Sequence, residues 1–312
     1  MKQPNHRPPV HRREFLNTTA KTLGAAMAAP LFFNSSAFAA RGPNAGRIYK
    51  SIKFGMFNEN IPYREKFQIL KEQGFDGVEI EHPDGQNQHE AVSASKYVGL
   101  RIHGVVDSIH WGVRLSDPDP SVRAKGLDGL KRYLRASHFL GGTSVLLVPG
   151  KVADEKNENQ QQVWDRTIVE IRKALPLASR LGIHILIENV WNGFCYIHDG
   201  PDNQTADELA RYIDTIDSPW VGVYFDIGNH QKYGKPEEWI RTLGKRIVKL
   251  DIKDWGKKNN FCKIGDGDVD WDAVRVSLKD IGFTGWATAE VGGGDRKRIQ
   301  EIGERMDRVL GL

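Results

Sequence analysis

"VGVYFDIGNHQKYG", residues 221–234, is an apolar run that ends in a carboxylate and then turns. Val221, Val223, Tyr224 and Phe225 have the β-branched and aromatic character of a buried strand. Asp226 closes it, and Gly228, Asn229 and His230 follow where the chain must leave the strand. A charge at the end of a buried strand either caps the next helix or is delivered to a site. The rest of the chain separates the two.

Similar runs recur on both sides of this one. "IKFGMF", "GVEIEH", "RIHGVV", "SVLLVP", "IHILIENV", "VGVYFDI", "IVKLDIKD" and "GWATAEV" read as strands. Amphipathic helical stretches lie between them, and several end in a glycine suited to a left-handed cap: Gly74, Gly99, Gly141, Gly182 and Gly282. Eight strand–helix units with no second domain predict a parallel sheet closed as a single α/β barrel of the (β/α)8 type over residues 51–312. A doubly wound open sheet would show a Gly-rich phosphate turn after its first strand, and "FGMFNENIPY" has none.

The first 39 residues read differently. Arg12 and Arg13 precede Phe15 and Leu16, a weakly apolar stretch runs from Leu23 to Phe33, and Ala37-Phe38-Ala39 offers a small-x-small cleavage site. The pattern resembles a twin-arginine export signal. Residues 1–39 are expected to be a signal peptide, 40–50 a short linker, and the mature chain periplasmic or extracellular. The apolar stretch is too short to be a stable membrane anchor. Residues 1–39 carry five cations against one anion, which equals the +4 of the whole chain, so the other 273 of 312 residues are near neutral. A neutral chain lacks the basic field of a nucleic-acid partner. The two cysteines, Cys195 and Cys262, make no disulfide scaffold, and the sequence leaves open whether they pair.

In such barrels chemistry sits at the C-terminal strand ends. Four successive strands there carry a carboxylate: Glu188, Asp226, Asp251 and Glu290, spaced 38, 25 and 39 residues apart. Strand alternation gives His184, Leu186 and Glu188 one face, as it does Tyr224 and Asp226, Lys249, Asp251 and Lys253, and Thr288 and Glu290. The opposite faces are apolar and must cover the helices, so the carboxylates point into the mouth. Carboxylates sharing a site take up protons or bind a cation, and a divalent metal satisfies four at once.

The order Glu, Asp, third ligand, Glu resembles the xylose-isomerase-like TIM barrels, the sugar phosphate isomerase/epimerase superfamily. "GFDGVEI", "LGIHILIEN", "FDIGN", "GKRIVKLDIKD" and "GFTGWATAEVGGGD" carry the resemblance along the mature chain. It implies metal ligands at Glu188, Asp226 and Glu290, with Glu188 and Glu290 doubling as catalytic acid and base. It implies an isomerase of the sugar epimerase or aldose–ketose type, moving a proton beside a carbonyl through an enediolate. The third position departs from the family's His-x-His-x-Lys-Asp, for Lys249-Leu250-Asp251-Ile252-Lys253-Asp254 stands there. Asp251 is the expected ligand, with His230 as the alternative. An all-oxygen set puts Mn or Mg ahead of Co or Zn, and Lys249 and Lys253 could balance its charge.

His110, Trp111, Trp191, Asn192, Asn229, His230 and Lys253 are the expected substrate contacts, with Arg296 beside a "GGGDR" turn that resembles a phosphate cup. Either Glu79 or Glu81 could enter the mouth, while His103 and His184 read as core histidines. The expected partner is a small-molecule sugar, and homo-oligomer formation stays open. A metal-dependent lyase or hydrolase on keto-sugars or glycosides begins with the same proton abstraction. A non-catalytic sugar-binding barrel is the reading from another class.

Overall fold

The computed structural model describes residues 42–312. The expected signal peptide lies outside the described residues. Eight parallel strands close into a barrel: β1 (Ile48–Lys53), β2 (Gly77–Ile80), β3 (Arg101–Val106), β4 (Ser144–Leu147), β5 (His184–Glu188), β6 (Val221–Asp226), β7 (Ile247–Ile252) and β10 (Gly285–Ala289). Around the ring they run β1-β10-β7-β6-β5-β4-β3-β2. The fold is the expected (β/α)8 TIM barrel. Two short strands, β8 (Asp254–Gly256) and β9 (Asn260–Cys262), form an antiparallel hairpin beyond β7.

The first strand opens at Ile48, inside the stretch expected to be a linker, and Asn44 bonds Gly311 and Leu310 near the chain's end. It also ends sooner than "IKFGMF" suggests. Phe54–Met56 form a 3-10 turn with Phe54 and Met56 buried, which leaves Lys53 as the last strand residue.

Helices α1 (Tyr63–Glu72), α2 (Gln88–Val98), α3 (Pro120–Leu140), α4 (Gln160–Leu181), α5 (Asp207–Ile216), α6 (Pro236–Leu243), α7 (Trp271–Asp280) and α8 (Arg296–Leu310) cover the barrel. Among the described residues, no helix is long and apolar enough to cross a membrane. Asn87, Asp119, Asn159, Asp270 and Asp295 cap α2, α3, α4, α7 and α8 through their side chains. The main core lies between strands and helices, where Ile185, Ile187, Val223, Phe225, Leu250, Ile252, Ala287 and Ala289 all face outward. Inside the barrel, among the described residues, only Leu146, Leu186 and Tyr224 form a buried apolar cluster.

The remaining barrel interior is a polar network. His103 receives Lys249 Nζ at 2.8 Å on Nδ1 and meets Ser51 Oγ at 2.7 Å through Nε2. Tyr224 Oη reaches Thr288 Oγ1 at 2.8 Å and Glu79 Oε2 at 3.2 Å. Buried polar groups of this kind are tolerated because they are paired. His103 is thus a core histidine, while His184 is half-buried at the start of β5, beside Trp220.

Candidate metal centre and the cavity above it

Strand pairing brings the four carboxylates together. Asp226 lies opposite Asp251 in the ladder, Thr288 lies opposite Asp251 on the other side, and Glu290 follows two residues on. Glu188, Asp226, Asp251 and Glu290 each offer an oxygen within 4.8 Å of the others. His230 is not among them. Its Nε2 contacts Val190 O at 3.3 Å, and its ring is buried against Tyr196 and Trp239. The third acid is therefore Asp251, and His230 is behind the site, not at its rim. The cause is the turn after Asp226, which aims Asn229 inward and His230 into the aromatic packing.

Two asparagines hold the acids in place. Asn189 accepts from Asp226 N at 2.8 Å and donates to Asp226 O at 2.9 Å, which locks β5 to β6. Asn229 N donates to Asp226 Oδ1 at 2.7 Å, and its Nδ2 donates to Asn189 O at 2.9 Å and lies 3.4 Å from Glu188 Oε1. Gly228 permits this close course, since a Cβ there would stand 2.6 Å from Lys253 Cβ.

Two lysines enter the cluster. Lys253 Nζ stands 3.1 Å from Asp226 and 2.9 Å from Glu290, as the strand pattern suggested. The other is Lys53, not the expected Lys249, which is spent lower down on His103. Lys53 Nζ lies 3.2 Å from Asp251, 3.3 Å from Glu79 and 3.6 Å from Glu290. The sequence held a signal for it: Ser51 and Lys53 alternate with apolar Ile52 and Phe54, so both face inward.

The electrostatics follow. Burial, then the neighbouring Glu290, pushes Glu188 well above the usual carboxylate range. Burial does the same to Asp251, against the pull of Lys53, and raises Asp226 to about 6 against Lys253. Burial also acts on Glu290, but Lys53 and Lys253 together outweigh it and hold Glu290 down at about 2.

The donors suit a hard divalent ion. Asp251 Oδ1 is buried with no hydrogen-bond partner, and Asp226 Oδ2 and Glu290 Oε2 share the single Lys253 ammonium, an arrangement that a further cation would relieve. Fully ionised, Glu79, Glu188, Asp226, Asp251 and Glu290 against Lys53, Lys249 and Lys253 leave five negative charges to three positive. The difference is the charge of one divalent ion. Oxygen ligands alone suit Mg or Mn.

Above the acids opens a cavity of about 940 Å3. Of the expected contacts, His110, Trp111, Trp191, Asn229 and Lys253 line it. His110 Nδ1 accepts from Val148 N at 3.2 Å, which leaves Nε2 to carry the proton. Burial, then Lys53, lowers His110 to about 3, so the ring is a neutral donor. Trp191 donates from Nε1 to Asn229 O. Asn192 is elsewhere, donating to Gly150 O at 2.7 Å and accepting from Phe194 N at 3.1 Å. Of the strand-two acids, Glu81 borders the cavity and Glu79 is buried beneath it.

Arg296, expected as a substrate contact, is not among the residues that line the cavity. Arg296 clasps Glu59, whose carboxylate also accepts from Arg296 N at 2.9 Å. Asp295 caps the same helix start, and a Cβ on Gly293 would meet Met56 O at 2.1 Å, so Gly293 serves close packing. Arg298 lines the cavity instead, as do Phe261 and Cys262 of the hairpin. Cys195 and Cys262 are free thiols. The hairpin escaped sequence reading because a turn with no local motif places it, and Arg298 because Glu59, far away in sequence, takes Arg296 in its stead.

The chain belongs to the family described as Xylose isomerase-like TIM barrel, which it matches over residues 67–309. Among curated relatives, L-ribulose-5-phosphate 3-epimerase UlaE of Escherichia coli (strain SMS-3-5 / SECEC) is 24% identical over 258 residues, covering 76% of this chain and 86% of the relative. A crystal structure of D-psicose 3-epimerase in the presence of D-fructose superposes with TM-score 0.67 at 20% identity, covering 85% of this chain and 100% of that one. The IOLI protein with a binding zinc atom gives TM-score 0.70 at 16% identity, covering 84% and 98%. The named epimerases among these are a kind of isomerase.

Proposed function

We propose that this protein is a divalent-metal-dependent sugar epimerase or aldose–ketose isomerase, working by proton transfer next to a carbonyl. The observation that carries the reading is the pair Glu188 and Glu290. They belong to β5 and to the end of β10, three strands apart in an eight-strand ring, and so flank the mouth from different walls. A base on one side and an acid on the other is what inversion at a carbon requires. The epimerase relatives support the same chemistry.

A divalent ion at the four acids would supply positive charge to a substrate carbonyl and its neighbouring hydroxyl. The protein's own groups do the rest. One glutamate takes the proton from the carbon beside the carbonyl, and the other returns a proton to the opposite face. Lys253 holds Asp226 and Glu290 in line from 3.1 and 2.9 Å. Lys53 steadies Asp251 from below. Neutral His110 offers an N–H to a sugar oxygen, while Val106, Leu146 and Val190 give the cavity an apolar wall.

The test is solvent deuterium uptake by ketoses and 3-keto-sugars, with Mn, Mg, Co or Zn supplied to chelator-stripped protein. Uptake at the carbon beside the carbonyl is expected, falling on the order of 10²-fold in Glu188→Gln and Glu290→Gln. No uptake with any metal would overturn the reading. We also propose that the protein acts outside the cytoplasm, from the Arg12-Arg13 signal. Replacing both arginines by lysine should strand the precursor in the cytoplasm, and normal export of that variant would refute it.

A further inference from the structure

We infer that the mouth holds a two-ring saccharide, with a second sugar ring seated between aromatic walls above the ring that reacts. The inference rests on the sugar-binding reading of the same cavity. Its volume, about 940 Å3, is near the top of the roughly 300–1,000 Å3 that drug-sized ligands fill. A free hexose is far smaller and would leave most of that space to water.

The walls have the chemistry for a ring. Trp111 follows β3 and Phe261 follows β7, and those strands are diametrically opposite in the closed order. Trp191 stands beside Phe261 at 4.9 Å between ring centres, giving one continuous aromatic surface. Trp111 is 46% exposed and Phe261 48% exposed, although both line the cavity. Large apolar side chains left open at a concave site mark a contact surface. The electron-rich face of an aromatic ring attracts the weakly positive C–H face of a pyranose, while a flat apolar ligand would have no use for the polar groups beside it. Those are Glu81 and Ser108 on one side and, on the other, Lys263 and Arg298, each also paired with Glu301 at 2.7 Å; their remaining donors and acceptors suit ring hydroxyls. At the α8 start the backbone donors are taken by Glu59 and Asp295, so no anion site forms there.

Calorimetric binding of D-fructose, turanose, lactulose and isomaltulose to Mn-loaded protein tests this without needing turnover. At least one ketose disaccharide should bind about tenfold tighter than fructose, the scale of one added aromatic contact. Trp111→Ala and Phe261→Ala should each shrink that ratio toward one, and Phe261→Tyr should restore it. Equal affinity for fructose and all three disaccharides would overturn the inference, as would alanine variants that weaken fructose and disaccharide by the same factor. Preferential disaccharide binding without deuterium uptake would uphold the two-ring site and count against the proton-transfer reading alone.

Discussion

Lys53 stands within 3.6 Å of Asp251, Glu79 and Glu290, a role that its strand parity allows but does not specify. It accounts for the departure at Asp251. An aspartate in place of a histidine adds a negative charge to an already acidic site, and a buried lysine directly beneath it removes that charge again. If Asp251 is a ligand, Asp251→Ala should weaken Mn binding by an order of magnitude or more. His230→Ala should lower the melting temperature, because it hollows the packing among Tyr196, Tyr233 and Trp239, yet leave Mn affinity near wild type. Calorimetric titration of Mn against both variants decides the matter, and the reverse ranking would move the third ligand to the loop after β6.

At the scale of elements, the loop from β6 is pinned against the residue that follows β7. Gly228 makes the approach feasible, since a Cβ there would stand 2.6 Å from Lys253 Cβ and 2.7 Å from its carbonyl carbon. Backbone cannot yield as a flexible side-chain tip can. Gly228→Ala should therefore cost about 1–3 kcal/mol in urea unfolding and, by moving Lys253 off Asp226 and Glu290, should also lower proton exchange. A stability loss with full exchange would show that the lysine's position does not matter. The β8–β9 hairpin is placed by Asp254, whose carboxylate accepts from Gly265 N at 2.7 Å and Trp271 Nε1 at 3.0 Å. The family's Lys-Asp pair thus divides its work, Lys253 facing the acids and Asp254 anchoring the arm that carries Phe261.

For the whole molecule, the excess of acids inside the barrel links metal, pH and stability. Asp226 in the folded chain has its pKa raised from 3.8 to about 6. The folded state then holds that proton more tightly than the unfolded state does. Its contribution to stability is complete below about pH 4 and is lost as pH rises through about 6. In chelator-treated protein, Asp226→Asn should gain on wild type across that window, by on the order of 2–3 kcal/mol. Urea unfolding at pH 4 and pH 7 measures it, and a constant difference would show that Asp226 is not a strained carboxylate. Saturating Mn should reverse the order at pH 7, raising the wild-type melting temperature by several degrees, since a ligand at about 100 Kd adds about 2.7 kcal/mol. No rise with Mn, Mg, Co or Zn would argue against a metal centre.

The sequence by itself determined the barrel and its four acids, because both are written in period: strand–helix alternation sets the ring, and two-residue alternation turns Glu188, Asp226, Asp251 and Glu290 inward together. It could not assign the company those acids keep. Lys53 and Lys249 both face inward by the same parity, and only their heights in the barrel decide that one meets Asp251 and the other His103. Asn229 and His230 are adjacent, and the turn between them sends one to the acids and the other into aromatic packing. Arg296 and Arg298 lie on one helix start, yet Glu59 takes the first and the cavity takes the second. Depth, turn direction and the competing partner are properties of the closed ring, since each depends on residues far away in the chain that only folding brings near.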